Sequence, residues 1–191
     1  VFSITREIGV DYGHRVPTHG SKCRSVHGHR GTIEATCEGP SLHTSGEQTD
    51  MVLDFGFLKD VLMDVVDASI DHGFVAYEKD DIAMLMFWPC KGTVPVSQSY
   101  SDDFDDWRKN ISCVVAKQGY CSTKFTKCNS KLYVVDFIPT SERLAEHFFH
   151  RLQKPVEEQS LGKAKLTNLR FWETPNCYSD YPGFSSQTTK V

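Results

Sequence analysis

Cys23-Arg24-Ser25-Val26-His27-Gly28-His29 runs directly into Arg30-Gly31-Thr32-Ile33-Glu34-Ala35-Thr36-Cys37-Glu38, and the reading of this stretch decides the fold. From Arg30 to Glu38, apolar or small residues alternate with polar ones, the two-residue period of a half-buried β-strand. Carried back through the glycine, the parity of Gly31, Ile33, Ala35 and Cys37 is also that of His27 and His29, while Arg30, Thr32, Glu34 and Thr36 point the other way. The two imidazoles therefore stand side by side at one end of a buried face. This is the geometry a single metal ion needs from neighbouring histidines, and Gly28 adds no side chain to crowd them.

A third ligand comes from the first predicted strand, Val1 to Val10. Phe2, Ile4, Ile8 and Val10 share one parity with Tyr12 and His14, interrupted only by Arg6, so an extended run aims His14 to the apolar side. Three neutral imidazoles with one open position are the ligand set of a catalytic zinc, because a structural site closes its fourth corner with protein. Cys23 is either that fourth corner or a reactive thiolate kept off the metal; spacing leaves both open.

The chain of 191 residues fits one domain carrying a sizeable insertion. Its 39% apolar and 24% charged content is that of an ordinary globular protein. A net charge of −4, with no basic stripe to neutralise phosphates, argues against a nucleic-acid partner. No apolar run has the length of a membrane span, and the N-terminus shows no charged start followed by an apolar core, so a reducing, cytoplasmic address is expected. The seven cysteines (23, 37, 90, 113, 121, 128 and 177) are odd in number and lack a pair separated by two residues. Neither a disulfide framework nor a four-cysteine zinc finger is expected, and Cys113, Cys121 and Cys128 have no histidines at ligand spacing.

In chain order, Asp11 to Ser25 reads as a long loop and Gly39 to Asp50 as a turn-like passage. Asp54 reads as the N-cap of a helix with Phe55, Leu58, Leu62 and Val65 at helical spacing. Ile70-Asp71-His72-Gly73 follows: neighbours on a regular element do not face each other, so Asp71 and His72 form a site only where the chain is irregular, and otherwise a surface turn. The region from Tyr77 to Lys131 reads as an insertion, bounded at 80–131, with Trp88-Pro89-Cys90-Lys91-Gly92, a solvated acidic loop at Asp102 to Asp106 and a short strand from Ile111 to Ala116. Leu132 to Ile138 reads as a buried strand. A second helix begins after Thr140 as cap, with Leu144, Ala145, Phe148 and Leu152 buried, His147 and His150 on a solvated face, and Pro155 as its end. Lys165 to Glu173 and Cys177 to Tyr181 complete the strands. Glu173 is either a surface residue or a two-point acceptor for a planar ligand's amino and ring N–H groups.

Taken together, His14 after the first strand, Cys23 separated by three residues from His27-Gly28-His29, Met51-Val52-Leu53-Asp54-Phe55, Asp71-His72, Pro139-Thr140-Ser141-Glu142 and Glu173-Thr174 resemble the 6-pyruvoyl-tetrahydropterin synthase / 6-carboxytetrahydropterin synthase family. The resemblance implies an α+β tunnelling fold: a four-stranded antiparallel sheet with two helices on one face, in ββααββ order. It also implies assembly into an oligomeric barrel, typically a homohexamer of two trimers, with active sites between subunits. By the same resemblance His14, His27 and His29 match zinc ligands and Cys23 the catalytic thiol. Asp71 and His72 match an acid–histidine relay, Glu173 the anchor of the pterin ring, and Thr140 a further substrate-binding position. Arg15, Lys22 and Arg24 flank the site as candidates for a triphosphate. Three residues between the cysteine and His-Gly-His are similar to the bacterial 6-carboxytetrahydropterin synthases of the queuosine and 7-deazaguanine route. The expected reaction is then conversion of 7,8-dihydroneopterin triphosphate to 6-carboxytetrahydropterin, acetaldehyde and triphosphate. A pyruvoyl-forming synthase and a non-catalytic zinc- and pterin-binding protein are the alternatives. The chain departs from the family in its length and in Tyr12-Gly13 before His14, where small apolar residues are usual.

Overall fold

Alternating burial organises the first half of the chain, and the computed structural model describes it over residues 1–89, 103–127 and 129–183. Cys90, Cys128, the acidic residue Asp102 and most of the Trp88 to Gly92 motif lie outside the described residues. β1 (Phe2–His14) buries Ile8, Val10, Tyr12 and His14 in strict alternation. It therefore continues four residues beyond the predicted end, because the in–out pattern does not stop at Val10. A single 3₁₀ turn (Lys22–Arg24) carries Cys23, and β2 (His27–Gly39) buries Gly31, Ile33, Ala35 and Cys37 on the predicted parity.

α1 (Phe55–Leu62) starts where expected, with the Asp54 carboxylate accepting from the N–H groups of Gly56 at 2.6 Å and Phe57 at 3.2 Å. The expected stripe holds at Leu58 and Leu62, but Phe55 is exposed and Val66 replaces Val65 as the fully buried residue. The cause is a π-helical turn (Met63–Asp67), whose wider turn moves the buried position on by one residue before the short α2 (Ala68–Ile70). β3 (Gly73–Tyr77), α3 (Asp81–Phe87), α4 (Phe104–Gln118), β4 (Tyr120–Thr123), β5 (Lys131–Val135), α5 (Ser141–Gln159), β6 (Lys165–Thr174) and β7 (Cys177–Pro182) follow.

The strands are hydrogen-bonded in the order β4-β5-β3-β1-β2-β6-β7. β3 runs parallel to both β1 and β5, whereas β4–β5, β2–β6 and β6–β7 are antiparallel. The expected four-stranded antiparallel sheet is thus corrected to a mixed sheet of seven strands among the described residues. Phe74, Val75 and Ala76 in β3, and Leu132 to Val135 in β5, are buried at consecutive positions, the continuous apolar run of strands covered on both faces.

By compactness the chain forms two units. In the first (Val1–Val10, Arg30–Ala68, Ser141–Val191), α5 lies on β6, β7 and α1, burying Leu144, Ala145, Phe148, Phe149, Leu152 and Val156. α5 runs through Pro155 instead of ending there, held by the fully buried Leu152 and Val156 on either side. His147 is half-buried, not solvated; burial, then the charges of Arg151 and Arg143, bring its pKa down to about 3. In the second unit (Asp11–His29, Ser69–Thr140), Met84, Phe87, Ile111 and Val115 close over Phe74, Ala76, Leu132 and Val134. Residues Ile111 to Ala116 are helical here, not a strand. Asp103 caps α4 by accepting from Asp105 N–H at 2.8 Å and Asp106 N–H at 3.2 Å, so the acidic cluster starts a helix and Ile111 and Val115 form its inner face. Among the described residues, no helix is long and apolar enough to cross a membrane.

Candidate functional site

The second unit brings together His14 from the end of β1 and His27 and His29 from the start of β2. One ligand nitrogen from each lies within 4.8 Å of the others. Two of the rings have their tautomer dictated by carbonyls. Pro139 O accepts from His14 Nδ1 at 2.7 Å, and Ser25 O accepts from His27 Nδ1 at 2.8 Å, which leaves Nε2 as the nitrogen with a lone pair in each. His14 Nε2 lies 3.1 Å from His29 Nε2. His14 does not relieve this crowding by taking a proton. Burial, and then the neighbouring His27 and His29, outweigh the Pro139 carbonyl and hold its pKa at about 4. Imidazoles turned toward one another, two of them with the outer nitrogen committed to a carbonyl, fit one divalent metal ion.

The close approach depends on two glycines. A Cβ on Gly28 would stand 2.9 Å from the Tyr12 carbonyl oxygen, and one on Gly13 would stand 2.9 Å from the Phe74 ring. Tyr12 itself, the residue that departs from the family pattern, is buried with its ring centroid 5.2 Å from that of His14 and 5.7 Å from that of His29. It forms one wall of the site. Cys23 is half-buried on its 3₁₀ turn, tied there by the Val16 N–H donating to its carbonyl at 2.8 Å, and its sulfur is not among the atoms that meet at the histidines.

A second constellation sits on the same unit. His72 has a left-handed backbone, φ 52°, and this irregularity lets adjacent residues face each other: Asp71 Oδ2 accepts from His72 Nδ1 at 2.6 Å. β1 holds the turn, with the Asp11 N–H donating to Asp71 Oδ1 at 2.8 Å and the Asp11 carbonyl accepting from the His72 N–H at 2.7 Å. His14 lies three residues further along that strand, about 10 Å away at the usual rise. The Asp71 hydrogen bond and charge raise the pKa of the exposed His72 above its ordinary value. Burial works against the Asp71 carboxylate, yet the Asp11 N–H and His72 outweigh it and hold its pKa below the usual range.

Thr140 follows Pro139, whose carbonyl orients His14, and directly precedes α5. Glu173 is the penultimate residue of β6, in the first unit. Arg15 is committed elsewhere: its Nε lies 3.0 Å from Asp80 Oδ2, with both residues buried. Lys22 and Arg24 remain exposed on the turn that carries Cys23.

Comparison with known proteins matches residues 3–183 to the family described as 6-pyruvoyl tetrahydropterin synthase. The chain belongs to that family. A 6-carboxy-5,6,7,8-tetrahydropterin synthase of Rickettsia typhi is 36% identical over 175 residues, covering 91% of this chain and 95% of that protein. One of Haemophilus influenzae is 25% identical over 181 residues, covering 95% and 99%. Among solved structures, an uncharacterized protein from Wolinella succinogenes superposes with a TM-score of 0.64 at 23% identity, covering 96% of this chain and 98% of that one. The 6-pyruvoyl tetrahydropterin synthase of Caenorhabditis elegans superposes with a TM-score of 0.54 at 16% identity, covering 96% of both. These neighbours share the α+β fold of the 6-pyruvoyl tetrahydropterin synthase family. Asp11, Asp80 and Lys131 hold the candidate site through backbone contacts and an ion pair that no local sequence pattern marks.

Proposed function

We propose that this chain is a zinc-dependent 6-carboxy-5,6,7,8-tetrahydropterin synthase, a lyase converting 7,8-dihydroneopterin triphosphate and one water to 6-carboxytetrahydropterin, acetaldehyde and triphosphate in 7-deazaguanine (queuosine) biosynthesis. The observation that carries the reading is the convergence of His14, His27 and His29, two of them with their outer nitrogens held by carbonyls. The bacterial relatives named for this activity support the branch.

His14, His27 and His29 would hold the zinc, which would supply Lewis acidity to lower the pKa of a substrate's side-chain hydroxyls. Every other task falls to the chain. His72, held through Nδ1 by Asp71, presents Nε2 to exchange a proton, and Asp71 steadies the imidazolium that forms. Cys23, as thiolate, removes a proton from the side chain of the pterin; each such positioned group is typically worth about 10²–10⁴ in rate. Glu173 accepts from the ring's amino and N–H groups and fixes its register, with Thr140 beside the ring. Lys22 and Arg24 receive the triphosphate, since Arg15 is occupied by Asp80. In this reading the whole chain is one cytoplasmic catalytic domain that assembles as a homohexamer with its sites between subunits.

The test is mass analysis of products after incubating the zinc-loaded protein with 7,8-dihydroneopterin triphosphate. We expect 6-carboxytetrahydropterin, with Cys23→Ala lowering kcat by about 10² or more at unchanged zinc content. A pyruvoyl product would overturn the branch, and absence of turnover by zinc-loaded protein would leave a pterin-binding protein.

A further inference from the structure

Asp80, just after β3, and Lys131, the first residue of β5, each grip a different half of the candidate site. Asp80 divides its carboxylate. Oδ1 accepts from the Ala83 N–H at 3.3 Å to start α3, and Oδ2 meets Arg15 Nε at 3.0 Å. Both partners are more than nine-tenths buried, and Arg15 is the residue after His14. The two atoms are not aligned as a hydrogen bond and are held together by charge: buried without water, neither group can leave the other without stranding an uncompensated charge.

Lys131 works on the other half. Its ammonium donates to the Asp71 carbonyl at 2.6 Å. Its stem lies flat across Gly73, its register partner between β3 and β5; a Cβ on Gly73 would come within 3.1 Å of Lys131 Cδ. The turn it holds contains His72 in the left-handed region, a conformation a non-glycine residue keeps only when its surroundings impose it. The Asp11 backbone clamps one side of that turn and Lys131 the other.

We propose that Lys131 and Asp80 are positioning residues: Lys131 locks the left-handed turn that keeps His72 against Asp71, and Asp80, through Arg15, locks the end of β1 that carries His14. The catalytic meaning rests on the function proposed above, but the Lys131 arm of the test needs neither zinc nor pterin and the Asp80 arm needs zinc binding alone, so failure of the pterin chemistry and failure of this proposal are distinguishable.

The charged groups facing His72 are Asp71 and Asp11, which favour its cation, and Lys131, which opposes it. Lys131→Met therefore gives opposite signs for two roles. If Lys131 were only a nearby charge, its removal would raise the His72 pKa. If it positions the turn, the Asp71 contact opens and the pKa falls toward the ordinary value. An NMR titration of the His72 ring reads the sign directly, and Lys131→Gln serves where the methionine variant does not fold. For the other half, Asp80→Asn keeps the oxygen that caps α3 but loses the ion pair. Zinc competition against a chelator is expected to show affinity reduced about tenfold, with the His72 titration unmoved. A His72 pKa that rises or stays put in the Lys131 variants, or unchanged zinc affinity in Asp80→Asn, overturns the proposal.

Discussion

Asp71 and His72 show how much one backbone angle contributes at the scale of a residue. With φ at 52° the two side chains meet at 2.6 Å; on a regular strand or helix they would diverge. The folded pKa of His72 lies above its ordinary 6.5, so its contribution to stability is full below that value and is lost as pH rises through the folded pKa. The folded pKa of Asp71 lies below 3.8, so its contribution is present above that value and is lost as pH falls through the folded pKa. The charged pair is therefore closed across the interval between, which spans mildly acidic to neutral pH. Asp71→Asn is expected to return the His72 titration toward 6.5, shift the corresponding limb of the pH–rate profile to lower pH, and reduce kcat by about 10². An unmoved His72 resonance would mean the contact has no influence in solution. The three histidines were legible because strand parity is strict: His27 and His29 share the buried side of β2, and His14 that of β1. Asp11, Asp80 and Lys131 were not legible, because a backbone donor or an ion-pair partner 60 or more residues away leaves no periodic trace.

Elements were readable where a cap and a period agreed. Asp54 announces α1, and its carboxylate does take the N–H groups of Gly56 and Phe57, the second and third residues of the helix. Asp54→Ala should cost about 1 kcal/mol of stability, and Asp54→Asn only a fraction of that, as measured by urea unfolding; equal losses in both variants would place the effect outside the cap. α4 was misread because Ile111-Ser112-Cys113-Val114-Val115-Ala116 holds apolar residues too densely for its period to show in six positions. The deciding information lay in Asp103, eight residues earlier, read as part of a solvated loop when it is the cap. β3 was passed over for a related reason: five residues, apolar at consecutive positions and directly after a turn, carry no alternation. The π-helical turn after α1 shows the same limit from another side, since nothing in Met63 to Asp67 marks the extra width that moves burial from Val65 to Val66.

Across the whole molecule, the expected four-stranded core survives as the contiguous run β1-β2-β6-β7, and the remaining strands extend it on the β1 side. That extension is parallel at β3, and parallel partners are joined through long crossovers, so their pairing is set by tertiary packing and not by local sequence. It also places the histidines where a metal ion would tie β1 to β2, with Pro139 O steadying His14 from the chain after β5. Metal binding should then act on the stability of the entire fold by mass action, because the unfolded chain does not hold His14 beside His27 and His29. Zinc at a hundred times its Kd should add about 2.7 kcal/mol and raise Tm, and a chelator should reverse the gain. His29→Ala, which removes one of the converging nitrogens, should lose most of that zinc-dependent shift while keeping the Tm of the metal-free protein nearly unchanged. Calorimetry with and without zinc decides the matter. A Tm indifferent to zinc, or a zinc shift retained in His29→Ala, would mean that the three imidazoles do not share one ion.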